Sequence, residues 1–458
     1  MKSIRGRKKA LSGAAFLAIL AVLAVSATGF AASGQPGSPA REGPGASMAA
    51  LAESVALTDL LTYAFDHNPL ILSKKAALDE ARRNVAVAGA WNDPQLSLGF
   101  WPGAWSDSGD QKWTAAINQA VPLPGKTAAA RRAAQAAALS GRIAVDAAVR
   151  DMVTAVTTSF HELGYLRGAQ ELARQNRATL ESMAALAGSA YAGNRAALVD
   201  VMKAKSQTAQ AALDLVYLME SEKTELARLN ALLDRPPEAP VGALLAATAE
   251  PVAYTLSEIF CLARANNYEI LMARAEISAA RAEYDMARYE TYPETMLGLM
   301  VENTEPNGGM AEPDNMVGLE LGLSLPVWGA KNSGRRNAAL AAVEKALAGE
   351  RGMTNDTLSM IRETWFKMEN ARRLVGLYRE SLIPQAARSM ETARSWYRQG
   401  LGSLSDAVEI ESSWYSFRLA LLRAETDHAQ NLARLEGLAG ARLTVKDASD
   451  PCAEKGAQ

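Results

Sequence analysis

Met316-Val-Gly-Leu-Glu-Leu-Gly-Leu-Ser-Leu325 alternates without a break. Val317, Leu319, Leu321, Leu323 and Leu325 fall on one side, and Met316, Gly318, Glu320, Gly322 and Ser324 on the other. A period of two belongs to a β-strand with one oily and one polar face. Just upstream, Leu297, Leu299 and Val301 alternate with Gly298, Met300 and Glu302. The link, 303–315, is rich in Gly, Pro, Asp and Asn, as a hairpin loop requires. The same design occurs earlier. Leu96, Leu98 and Phe100 alternate with Gln95, Ser97 and Gly99. After the link 102–111, Trp113, Ala115 and Ile117 alternate with Thr114, Ala116 and Asn118.

The two hairpins belong to a tandem repeat. Residues 57–99 align with 256–298 without a gap at an offset of 199. Asn68, Ile71, Arg82, Pro94 and Gly99 thereby meet Asn267, Ile270, Arg281, Pro293 and Gly298. Further on, Arg131-Arg132 meets Arg335-Arg336, Asp200 meets Asp406, and Leu226-Ala-Arg-Leu229 meets Leu432-Ala-Arg-Leu435, at an offset that reaches only 206. One architectural unit is built twice. The expected organisation is a signal peptide over 1–31, a flexible linker over 32–54, repeat 1 over 55–240, repeat 2 over 254–440 and a polar tail over 441–458.

Each repeat reads as helix, two strands, very long helix, turn and return helix. The opening helices start near Thr58 and Ser257, each followed by an acidic residue that suits a helix N-terminus. They are expected to run about thirty residues and to stop before Pro94 and Pro293. From Lys126 to about Ala187 there is no proline, enough for a helix on the order of 90 Å. Val149, Val153, Val156, Phe160 and Leu163 keep a 4-3-4-3 spacing, as do Leu358, Ile361, Trp365 and Met368. That spacing is a coiled-coil seam. Pro384 is expected to kink the second long helix.

Four strands of about ten residues are long enough to cross a bilayer when tilted. Four cannot close a barrel, and an open edge cannot face lipid. Three protomers pooling their strands give about twelve, a feasible transmembrane barrel. A small soluble sandwich is the alternative, although two short hairpins between such long helices make a poor sandwich core.

Lys2, Arg5, Arg7, Lys8 and Lys9 precede an apolar run from Leu11 to Val25 and small residues around Ala27 and Ala31, the pattern of a secretory signal. Cleavage at either alanine, or a retained anchor, fits the residues. Loss of those five cations takes the formal net charge from −2 to −7, which argues against nucleic acid as a partner. No other segment is apolar enough to span a membrane as a helix. The two cysteines, Cys261 and Cys452, read equally as a pair or as separate thiols.

Taken together, these residues resemble the TolC-type outer-membrane efflux proteins over about 55–440. The resemblance is carried by Asn68-Pro-Leu-Ile71, Asp93-Pro-Gln-Leu96, Asn118-Gln-Ala-Val-Pro-Leu-Pro-Gly-Lys126, Tyr397-Arg-Gln-Gly400 with Leu404 and Asp406, and Leu432-Ala-Arg-Leu435 with Gly440. It implies a mainly α fold with a β-barrel portion. Long helical hairpins would form an α-barrel, and four strands per protomer would pool into a homotrimeric twelve-stranded barrel among outer-membrane lipid. It implies a passive exit duct, not an enzyme and without cofactor. Its partners would be a periplasmic adaptor (membrane fusion) protein and an inner-membrane pump of RND or ABC type. By the same resemblance, Asp406 and Glu409 form a periplasmic gate, and Tyr397 and Asp200 a tip latch. The tip turns fall at Gly193, Asn194, Gly400 and Gly402. Gly402 stands where some relatives carry arginine, which puts part of the latch in doubt. Asn194 replaces the usual glycine but tolerates a left-handed backbone. The competing reading is a soluble periplasmic coiled-coil adaptor, which would not need the oily strand faces.

Other motifs carry less. Gly125-Lys126-Thr127 ends like a phosphate-binding loop, but Ala120 replaces the required glycine, and Pro122 and Pro124 remove N–H donors. His161-Glu162 lacks the second histidine of a zinc-protease helix. His67, His161 and His428 are far apart. Met296, Met300, Met310 and Met316 crowd one hairpin; thioethers can hold Cu(I), yet methionine is more often filler.

Overall fold

A computed structural model describes residues 53–102, 110–123, 125–194, 196–245, 251–305, 314–399 and 401–446. The expected signal peptide, most of the linker, Gly400 and Met310 lie outside the described residues. The first half runs β1 (Ser54–Val55), α1 (Leu57–His67), α2 (Pro69–Ala88), β2 (Gln95–Trp101), β3 (Gln111–Val121), α3 (Lys126–Ala192) and α4 (Leu198–Leu232). The second runs β4 (Ala243–Leu244), α5 (Leu256–Asn266), α6 (Tyr268–Tyr289), β5 (Glu294–Glu305), β6 (Asp314–Ser324), α7 (Gly329–Leu377), a π-helical turn (Tyr378–Leu382), α8 (Ile383–Gln399) and α9 (Leu404–Ala439). The short parallel pair β1–β4 had no signal in the sequence, and it begins inside the stretch read as linker.

The opening element of each repeat is two helices, not the single one expected. The break falls at Asn68 and Asn267, both with extended backbone (ψ 120° and 126°). The Asn68 carboxamide oxygen accepts from the N–H of Leu70 (3.0 Å) and Ile71 (3.2 Å), and that of Asn267 accepts from Ile270 (3.1 Å). A side-chain cap satisfies the orphan donors of a new helix and so permits the chain to turn. In the first copy Pro69 also occupies the first helical position, where its missing N–H costs nothing.

Each repeat builds its own core where its opening helix meets its long helix and its return helix. Leu60, Ile71, Val156, Phe160, Leu163 and Leu229 close one. Ile259, Leu262, Ile361, Met368, Leu432 and Leu435 close the other. Of the seam expected on α3, Val156, Phe160 and Leu163 are buried and Val149 is half-buried, whereas Val153 is 38% exposed. At ~1.5 Å per residue, the 67 residues of α3 span about 100 Å. Near Pro384, where a kink is expected, the helix changes type. One turn widens into the π segment immediately before it, which accommodates the N–H that proline cannot supply.

The four longer strands form one antiparallel sheet in the order β2-β3-β5-β6. The register joins the two hairpins through β3 and β5 and lines up their faces. Leu96, Ile117, Leu299 and Leu319 form one row, and Leu98, Ala115, Val301 and Val317 the next. The reverse face carries polar and small residues together with Trp101, Met296, Met300 and Met316, and there Lys112 pairs with Glu302 at 2.5 Å.

At the sheet's base Gly125 holds φ +102° and starts α3. A Cβ there would lie 2.7 Å from the Tyr289 ring, so the strand-to-helix turn needs glycine for both backbone and space. Lys126, the next residue, pairs with Glu294 and so ties α3 to β5.

Candidate functional site

Two regions remain unexplained by the internal cores: the distal turns and the sheet. At the first turn Gly193 caps α3, its N–H reaching Ser189 O at 3.2 Å. Asn194 follows with φ 54°, a left-handed conformation that asparagine tolerates. Asp200 then lies in the first turn of α4, its N–H donated to Ala197 O at 3.1 Å.

At the second turn the Leu401 N–H bonds Trp396 O at 2.9 Å, and Gly402 packs against Trp396. Ser403 caps α9 by accepting from the Asp406 N–H at 3.0 Å. The pattern Ser403-x-x-Asp406 before an apolar run is a helix-start signal that sequence reasoning passed over. The capped helix buries Leu404, Ala407 and Val408 against Leu180, Met183, Val201 and Ala204. With that face buried, Asp406 and Glu409 are left exposed side by side, one turn apart. Tyr397 packs on the same cluster, which includes Val201, the residue after Asp200.

Two further tip contacts had no local signal. Lys203 of α4 donates to Ser405 Oγ of α9, joining the two return helices. Behind them Arg394 bonds Glu411 at 2.9 Å, with the Glu411 side chain 1% exposed. Burial pushes the Glu411 carboxyl up from its ordinary value, and Arg394 pulls the other way.

The histidines are spread among helix packing. His67 stacks on Tyr63 with ring centroids 4.1 Å apart, and burial lowers the pKa of His161 and of His428. No group of three His, Cys, Asp or Glu among the described residues could hold a metal. Cys261 is disulfide-bonded, and the chain's other cysteine, Cys452, lies outside the described residues.

The sheet is the more telling region. Leu98 is 76% exposed and Leu319 91% exposed, and the rows of apolar side chains between them form a continuous oily face. Within the protomer β2 and β6 are edges. No helix among the described residues is long and apolar enough to cross a membrane. A contiguous apolar sheet face of this kind marks a lipid or protein contact.

The outer membrane efflux protein family model matches residues 60–235 and 261–441, one stretch in each repeat. The chain belongs to the outer membrane efflux protein family. No curated protein sequence matches this efflux protein. Among solved structures it is similar to a membrane protein from Pseudomonas aeruginosa, with TM-score 0.74 and 18% identity over 86% of this chain and 92% of that one. It is similar also to the outer membrane protein VceC of Vibrio cholerae, with TM-score 0.70 and 19% identity over 84% and 96%. A third is the Campylobacter jejuni CmeC outer membrane channel, with TM-score 0.73 and 13% identity over 85% and 87%. At such identity these likenesses establish the fold: long helices with four antiparallel strands, as in TolC-like channels. Family membership makes the protein an outer-membrane efflux channel of tripartite systems, a conduit and not an enzyme.

Proposed function

We propose that this efflux protein works as a homotrimer whose twelve strands close a barrel in outer-membrane lipid. The observation that carries the reading is the sheet: an oily face with two open strand edges. Edge N–H and C=O groups in lipid cost several kcal/mol each unless paired. Pairing β6 of one protomer with β2 of the next removes every edge. The helices then hang as a tunnel toward the periplasm, where an adaptor protein and an inner-membrane pump of RND or ABC type deliver cargo.

Asp406 and Glu409 act as the gate. Their exposure beside a buried apolar face supports this role, and three copies would direct six carboxylates at one aperture. A ring of negative charge favours cations and hinders anions. Tyr397 and Asp200 act as the latch, with the turns at Gly193, Asn194, Gly400 and Gly402 setting the tip's outline.

The reading is tested on protein purified from outer membranes. It expects oligomers three chains in size that survive detergent without heating, and a small conductance in planar bilayers. The Asp406→Ala, Glu409→Ala double variant is expected to conduct several-fold more. Unchanged conductance removes the gate, and a free periplasmic monomer removes the channel.

A further inference from the structure

The two return helices are followed by different ties. In repeat 1 the chain after α4 comes back beside β1 as β4, where the Ala243 N–H donates to Glu53 O at 3.2 Å and the Leu245 N–H to Val55 O at 3.0 Å. In repeat 2 the segment after α9 makes one such backbone bond among the described residues, from the Ala253 N–H to Leu443 O at 2.9 Å. Leu443 is fully buried in the repeat 2 core, and Lys446 then donates to Glu258 Oε1 at 2.7 Å beside the Tyr254 ring. Residues 443–446 therefore lie against the start of α5. Cys261 is three positions beyond Glu258, on the same face one turn along, and packs on that core. It is disulfide-bonded. At the matching position of repeat 1 stands Thr62, whose hydroxyl donates to Thr58 O at 2.8 Å. Packing alone thus does not call for sulfur there.

We propose that Cys261 is joined to Cys452 of the same chain, and that forming this bond is a maturation step that clasps the tail onto α5. Cys452 is the one other cysteine in the sequence. Five residues separate it from Lys446, a stretch that can span about 20 Å, whereas one helix turn covers about 5 Å. The pair is 191 positions apart, so the closed loop takes in α6, β5, β6, α7, α8 and α9. A cross-link stabilises by limiting the unfolded chain, and it does so more for a long loop. An outer-membrane protein folds beyond the reducing cytosol, where disulfides persist. In the step itself the two thiols lose two protons and two electrons as the S–S bond forms. A disulfide of an exported thiol–disulfide oxidase accepts them and becomes a dithiol. The chain is thereby a substrate of that class of enzyme.

The test uses the full chain purified in detergent without reductant and treated with iodoacetamide. Digestion and mass spectrometry are expected to yield one peptide pair linked through Cys261 and Cys452, from chains that run singly on denaturing, non-reducing gels. Alkylated Cys261, or chains linked to one another, overturns the pairing. The clasp is read separately, from thermal melts with and without dithiothreitol. The native protein is expected to melt several degrees lower when reduced, and Cys452→Ser to melt at that lower temperature in either condition. A native melting temperature indifferent to reductant overturns the clasp, and that comparison stands even if the variant does not fold. These readouts need neither a pore nor an oligomer, so the proposal and the channel reading fail independently.

Discussion

Asn267 donates its side-chain amide to the carbonyl of Leu438 at 2.8 Å, and Asn68 makes the same bond to Leu232 at 2.9 Å. In each repeat one asparagine therefore does two things. Its oxygen starts the second helix of the opening pair, and its nitrogen holds the end of the return helix. Asn267 is fully buried. Asn267→Ala removes a cap and leaves the Leu438 carbonyl without its donor, a cost on the order of 2–3 kcal/mol. Asn267→Ser keeps a capping oxygen and loses the donor to Leu438. Thermal melts followed by far-UV circular dichroism should rank native, Ser and Ala in that order.

Lys203 and Ser405 tie α4 to α9 across the tip. Lys203→Ala removes that tie without touching the exposed Asp406 and Glu409. Single-channel recordings are expected to show more frequent or larger openings. A conductance trace indistinguishable from native would show that the contact does not restrain the aperture.

Acid should weaken the second repeat through Glu258. Hydrogen bonding from Lys446 Nζ (2.7 Å) and the Thr255 N–H (2.6 Å) holds its carboxyl down at about 2, against 4.5 for a free glutamate. A folded-state value below the unfolded one contributes stability above pH 4.5 that disappears as pH falls toward 2. Glu258→Gln should flatten the melting temperature across that window. Glu225 works in the opposite sense: burial raises its carboxyl, so its contribution is greatest at low pH and is lost as pH rises through the raised value. Glu225→Gln, which can still accept from Ser159, should raise the melting temperature at pH 8 more than at pH 4.

Gly125→Ala meets two obstacles at once, a left-handed backbone and the Tyr289 ring. The backbone alone costs about 1–2 kcal/mol. The yield of heat-resistant oligomer should fall sharply. Adding Tyr289→Ala should recover part of it, because the clash is relieved and the φ penalty is not.

The two sheet faces should respond oppositely to charge. Leu319→Arg places a cation on the oily face, at a cost of about 2–4 kcal/mol near the bilayer midplane. Ser97→Arg places one on the polar face, in the row of Ala116, Met300 and Gly318. Membrane fractionation is expected to show loss of the first variant from the outer membrane and retention of the second. Equal retention of both would mean that the Leu319 face does not meet lipid.

Much of this was legible because it is written locally. Strand faces repeat every two residues and coiled-coil seams every three or four, so Leu319 and Phe160 announce their surroundings through their neighbours. The exposed pair Asp406 and Glu409 follows from a three-residue spacing on one helix. Even there the spacing specifies a helix face, whereas their exposure depends on Leu404 and Val408 being buried against α3 and α4.

By itself the sequence determined the duplication, the four strands with their oily face, the long helices and membership in a membrane-conduit family, since each rests on short-range periodicity or on residue order. Only the tertiary structure decided where the opening helices break, that Val153 leaves its seam, that Lys203 meets Ser405, and that Lys446 reaches Glu258. The reason is distance along the chain. Asn68 finds its acceptor 164 residues away, Asn267 finds one 171 away, and Lys203 finds its partner 202 away. A contact of that span leaves no periodic trace near either residue, and it exists only once packing has brought the two ends together.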